Sequence, residues 1–125
     1  MIKETITFKN FNGEEETKDF YFNISKSDLL EFGLREKLIS NVEALQNTSD
    51  PSEVYTLFKS LTAMCIGRKS SDGRLFIKDQ DTRDDFFFSG AYDEFIFDIL
   101  NNQEKASAFV NKVIPQDLRE ELTKK

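Results

Sequence analysis

Apolar and polar residues alternate strictly in two stretches near the start of the chain. Ile2, Ile6 and Phe8 share one parity of residues 2–9, with Lys3, Thr5, Thr7 and Lys9 on the other. Residues 17–24 repeat the pattern, with Phe20, Phe22 and Ile24 opposed to Asp19, Tyr21 and Asn23. A period of two sends successive side chains to opposite faces, so both stretches predict half-buried strands. Asn12-Gly13 between them signals a hairpin. A two-residue Asn-Gly turn would place Ile6 opposite Asp19 on one face. An odd-length loop, such as Gly13-Glu14-Glu15, pairs Phe8 with Phe20 and Ile6 with Phe22. A one-residue slip turns a strand inside out, so burial predicts a three- or five-residue loop, or a bulge.

After Ile24 the period changes. Ser25 and Asp28 form a capping-box pattern that opens a helical turn carrying Leu29, Leu30 and Phe32 as far as Gly33. Leu34, Leu38, Val42 and Leu45 then define one face of a helix. Asp50-Pro51-Ser52-Glu53 starts another, with an acid at the N-cap and proline at the first helical position. Its stripe of Val54, Leu57, Phe58, Leu61, Met64 and Cys65 runs up to Gly67, read as the C-cap. Ser71-Asp72-Gly73 is a turn before RLFIK, which with Ile66 to Lys69 makes either a small second hairpin near 66–78 or an extended loop. Acids from Asp79 favour the first turn of a further helix. Gly90 separates it from one bearing Tyr92, Phe95, Ile96, Ile99 and Leu100 on one face. A last helix carries Ala106, Phe109, Val110 and Val113, and Pro115 ends it or begins an amphipathic turn with Leu118 and Leu122. The fold class is α+β: an N-terminal β-hairpin packed on a mainly helical domain of about five short helices. A single domain is expected over 1–125: hairpin 1–24, helical body 25–114 and C-terminal amphipathic tail 115–125.

Composition then removes most chemistry. The 125 residues include no histidine, so no Ser-His-Asp triad, Cys-His pair or histidine metal ligand can form. The single Cys65 lies on an apolar stripe and reads as a buried structural thiol. The five glycines are isolated, which excludes a phosphate-cradling loop. Asp79, Asp81, Asp84 and Asp85 suggest calcium, but Arg83 and Asp84 stand where an EF-hand loop needs a ligand and a glycine. Glu14-Glu15-Glu16 reads as a hydrated hairpin tip. No enzyme activity, metal or cofactor is expected. No apolar run reaches the roughly 18 residues of a membrane span, and MIKETITFKN lacks a signal-peptide core, so a cytoplasmic location is expected.

The net charge is −6, and residues 79–98, with seven acids and one base, carry a surplus of that size. Such a chain should repel nucleic acid. The same segment holds Phe86, Phe87 and Phe88, which span about 200° of a helix at 100° per residue and cannot share one face. Phe97 lies about 140° around from Tyr92 on the same rule. Either the 86–88 segment is wedged between two layers, or some rings form a protein–protein patch, aromatic at its centre and acidic at its rim. Phe86, Phe87, Phe88, Asp84, Asp85, Asp93 and Phe97 are the candidate partner-binding residues, and the acids favour a basic partner.

Four segments in order carry a family resemblance: ITFKNFNGEEETKDFYFNISKSDL, GRKSSDGRLFIKDQDTRDDF, SGAYDEFIFDIL and AFVNKVIP. Over nearly its full length the chain resembles the tail assembly chaperones of long-tailed phages and prophages of Gram-positive bacteria. The resemblance implies a non-enzymatic protein acting in the host cytoplasm and absent from the mature virion. It implies the tape-measure protein and the tail-tube protein as partners, the first kept soluble and the second helped to polymerise around it. It also implies a longer form of the chain made by frameshifting, to which Lys124-Lys125 would suit an A-rich slippery site, and a homo-oligomer would fit exposed phenylalanines. The alternative is an acidic phage or prophage regulator that binds a basic host protein by imitating nucleic acid.

Overall fold

A computed structural model describes residues 1–30 and 34–114. Strands β1 (Ile2–Lys9) and β2 (Glu15–Phe22) form the hairpin. Asn10 N–H donates to Glu14 O (2.8 Å) and Gly13 N–H to Asn10 O (3.0 Å). Asn10 Oδ1 accepts from the N–H of Asn12 and Glu14. The connection is thus the three residues 11–13, with Gly13 at φ +81° supplying the left-handed position that glycine adopts without strain.

The odd loop holds, but the pairing it was expected to give does not. Phe8 faces Glu16 and Ile6 faces Lys18, while Ile2 faces Phe22. Parity is preserved, so the even residues of both strands still share a face. Burial depends here on cover from helices rather than on the cross-strand neighbour. Ile6 and Phe8 are buried, whereas Glu16 and Lys18 lie on the exposed half of β2. With no apolar match demanded there, the turn settles on its glycine.

The Ser25–Asp28 box forms reciprocally: Ser25 N–H donates to Asp28 Oδ2 (2.9 Å) and Asp28 N–H to Ser25 Oγ (3.1 Å). A 3₁₀ turn, Asp28–Leu30, follows, and Leu30 is exposed rather than apolar lining. The expectations at Phe32, Gly33 and beyond Ile114 lie outside the described residues. Five α-helices are present among the described residues: α1 (Leu34–Asn47), α2 (Pro51–Cys65), α3 (Gln80–Phe87), α4 (Gly90–Asn101) and α5 (Gln103–Val113). Asp50, Asp79, Ser89 and Asn102 cap the last four through their side chains.

The second hairpin is real and joins the first. Strands β3 (Ile66–Lys69) and β4 (Phe76–Ile77) pair with each other, and Tyr21 and Phe22 of β2 pair with Gly67 and Ile66. One antiparallel sheet results, in the order β1-β2-β3-β4. Gly67 is therefore not a C-cap: α2 ends at Cys65, and Ile66 is already extended. Glycine is needed because β4 crosses close by; a Cβ there would lie 2.7 Å from Phe76 Cζ and 2.9 Å from Ile77 O. The carbonyl cannot swing aside, so Gly67→Ala should destabilise the fold by about 1–3 kcal/mol. Urea unfolding reads this directly; an unchanged midpoint would mean that β4 yields freely.

The even face of the hairpin, with Ile2, Ile6, Phe8, Phe20 and Phe22, is buried while Lys3, Thr5 and Thr7 are exposed. Helices α2, α4 and α5 pack on β1 and β2, α3 lies against β3 and α4, and α1 packs on α2. The core beneath them includes Leu38, Val42, Phe58, Leu61, Cys65, Phe86, Phe95, Ile96, Phe109 and Val113. Phe22 is its hub, stacked on Phe95 (5.5 Å between ring centroids) and edge-on to Phe86 and Phe109. Burial pushes the Cys65 thiol far above its ordinary range, which makes it inert.

Lys78, just after β4, ties three segments together: its Nζ donates to Asp28 Oδ2 (2.8 Å) and to Met64 O (2.9 Å). Burial alone would raise the Asp28 carboxyl, but the Lys78 and Ser25 hydrogen bonds outweigh it and hold it below the usual 3.8. The folded state thus binds this proton less readily than the unfolded one. The bridge stabilises fully above about pH 4 and is lost as pH falls through the depressed folded value. Asp28→Asn should cost about 1 kcal/mol at pH 6, the low end for a charge-assisted bond between partly exposed groups. The difference from wild type should vanish near pH 2; a constant difference across denaturation curves from pH 6 to 2 would refute the bridge.

Candidate interaction surface

Residues 79–98 form α3, a sharp corner, and most of α4. Asp79 Oδ1 accepts from Thr82 N–H (2.9 Å) and Thr82 Oγ1 (2.5 Å), and these bonds hold its carboxyl below the usual range. Asp84 accepts from Gln80 Nε2 (2.8 Å), and Asp85 forms an ion pair with Lys18 of β2. Asp81 and Asp93 are exposed. At the corner, Phe88 N–H donates to Asp84 O, and Ser89 Oγ donates to Phe86 O before capping α4 at Ala91 N–H.

The structure sorts the three consecutive rings one by one. Phe86 is fully buried between the sheet and α4, so it is a core residue and not part of any surface. Phe87 is half-buried, edge-on to Phe86 (5.2 Å) and Tyr92 (4.9 Å). Phe88 is 75% exposed, and Phe97 on α4 is 64% exposed. The wedge reading holds for Phe86 alone: one ring is inside, one at the boundary and one in water.

One exposed ring escaped the sequence reading. Phe11, in the hairpin loop, is 90% exposed. Its signal was available, since it stands beside Asn12-Gly13 where no core face can form. The loop and the α3–α4 corner share one end of the molecule: a Cβ on Gly90 would lie 2.8 Å from Lys9 O. Phe11 follows Lys9 by two residues and Phe88 precedes Gly90 by two, and both are exposed.

Phe97 occupies a different place, on the flank of α4 beside β1. Together with Glu4, Thr5, Thr7, Glu94 and Asp98 it lines a groove of about 420 Å³. Asp98 is bonded to Lys105 Nζ (2.7 Å). Burial chiefly, and Asp98 beside it, raise the Glu4 carboxyl against the opposing pull of Lys105 and Lys112. Among the described residues, no group of three or more acidic or cysteine side chains is placed to hold a metal ion. No helix there is long and apolar enough to cross a membrane. The surface offers exposed rings, and beside Phe97 the carboxylates of Glu94 and Asp98.

The protein is a small α+β scaffold with aromatic rings exposed at its surface, and comparison with known families places it more closely. The chain belongs to a phage tail assembly chaperone family, whose model matches residues 1–125. No curated protein and no solved structure shows a significant match to it.

Proposed function

We propose that this chain binds the tape-measure protein of a phage tail, keeps it soluble and assists polymerisation of the tail-tube protein around it, without catalysis. It would do so in the host cytoplasm and leave before the virion is complete. The observation that supports this best is the exposure of Phe88 and Phe97 on an acidic segment of a chain in this family. Tape-measure proteins are long and helical, and bare apolar helix faces aggregate. Rings at the surface can cover such faces, while the net charge of −6 keeps the pair dissolved. The reading as a nucleic-acid mimic gains nothing from the acids, because Asp79, Asp84 and Asp85 are each engaged by neighbours. Co-expression with the tape-measure protein tests the reading: its soluble fraction should rise severalfold with this chain present. An unchanged fraction would sink it.

A further inference from the structure

We propose that the open edge of β1, beside the acidic flank of α4, receives an extended basic segment of a partner protein as a fifth strand of the sheet. The inference concerns how a segment is held and does not rest on the tape-measure reading.

β1 is the outermost strand of the sheet. The Asn10–Glu14 bond closes the first hydrogen-bonded pair of the hairpin. Such pairs alternate in an antiparallel ladder, so the next fall at Phe8/Glu16, Ile6/Lys18 and Glu4/Phe20. Thr7, Thr5 and Lys3 lie in the other pairs, whose side chains come closer. Accordingly Thr7 Oγ1 meets Thr17 Oγ1 at 2.9 Å and Thr5 Oγ1 donates to Asp19 Oδ1 at 2.6 Å. Residues of this second kind turn N–H and C=O away from their partner. The backbone groups of Lys3, Thr5 and Thr7 therefore face outward from the edge. Gly90 closes the approach at Lys9, leaving about five residues, roughly 17 Å, open among the described residues.

Charge selects the occupant. On the helix side of this edge lies the groove with Glu4, Glu94 and the Phe97 ring, and with Asp98, which shares its charge with Lys105. Thr5 and Thr7 border the groove too, but their hydroxyls belong to the other parity, with Lys3, where they bond across to Asp19 and Thr17. An added strand alternates its side chains between those two sides. One parity should be lysine or arginine, meeting the carboxylates and the face of Phe97; the other should be hydroxyl, β-branched or acidic. A second copy of β1 is the wrong occupant, because its even residues would bring another Glu4 against Glu94 and Asp98. Lysines at both ends of the edge are also a usual guard against self-pairing.

The probe is the capped peptide acetyl-Thr-Lys-Val-Lys-Val-Lys-Thr-amide, titrated onto the full chain and followed by amide hydrogen exchange in NMR. Before addition, the amides of Thr5 and Thr7 should exchange quickly while those of Glu4 and Ile6 are protected. On binding, Thr5 and Thr7 should slow at least about tenfold. The same peptide N-methylated at both valines keeps its charge but loses two hydrogen bonds, and should bind about tenfold more weakly. Glu94→Lys should weaken the parent peptide, and a version with glutamates for lysines should not bind. Equal binding of the methylated peptide, no gain in protection at Thr5 and Thr7, or no binding at all would each overturn the proposal. So would protection of those amides in the free chain, since the edge would then already be covered by another part of the chain or by a second copy.

Discussion

Replacing Phe86 with alanine should destabilise the fold by about 3–5 kcal/mol, the range for removing a buried phenylalanine. Its ring has no exposed surface and touches five others: Phe20 at 5.1 Å, Phe22 and Phe95 at 5.5 Å, Tyr92 at 5.6 Å and Phe87 at 5.2 Å. These neighbours come from β2, α3 and α4, so the cavity would open where sheet and helices meet and could not close by moving one element. A domain of this size has about 5–15 kcal/mol in total, which makes the loss about a fifth or more of the stability. Urea denaturation gives the value, and Phe86→Leu should lose distinctly less because it leaves a smaller void. A loss under about 1 kcal/mol for the alanine variant would mean that the ring is not central. The comparison with Phe88→Ala is sharp: one residue pair apart, that change should stay within about 0.5 kcal/mol, as expected for a residue already in water.

Phe86 also shows where sequence reasoning stops. The 100° step per residue shows that three consecutive rings cannot share a face, but not which of them points inward; that depends on where β2 and α4 lie. Features set locally were legible: the cap at Asp50, the helix start at Asp79, the stripe of Tyr92, Phe95, Ile96 and Ile99, and the parity of the hairpin. Features set by distant partners were not. Gly67 fits a helix end as well as a strand, and only the Phe76 ring nine residues on distinguishes them. Asp85 is visibly acidic, yet its partner Lys18 stands 67 residues away. The joining of the two hairpins rests on just two residue pairs, too few to leave a pattern in the chain. Of the candidate surface, Phe97 was legible as a ring off the core face and Phe88 only as one of three rings that could not all be buried, while Phe11 and the open edge of β1 required the structure.

Phe88→Ser with Phe97→Ser should abolish most of the gain in soluble tape-measure protein while leaving the fold intact. Both rings already lie mostly in water, so the folded state forfeits little burial, and the unfolding midpoint should move by less than the equivalent of about 1 kcal/mol. In a complex, by contrast, each ring would lose its water, and full burial of a phenylalanine is worth about 1.5–3 kcal/mol. Two such rings correspond to a weakening of a hundredfold or more. Phe87 should be left in place, because its contacts with Phe86 and Tyr92 would confound binding with folding. Salt separates the two components of the surface. If the rings supply affinity and the acids supply encounter, about 0.5 M salt slows association but leaves the soluble complex largely in place. If the double variant holds the partner in solution as well as wild type does, the exposed rings are not the binding surface. If salt alone dissolves the complex, the carboxylates carry the affinity, and the acidic groove beside β1 becomes the place to mutate next.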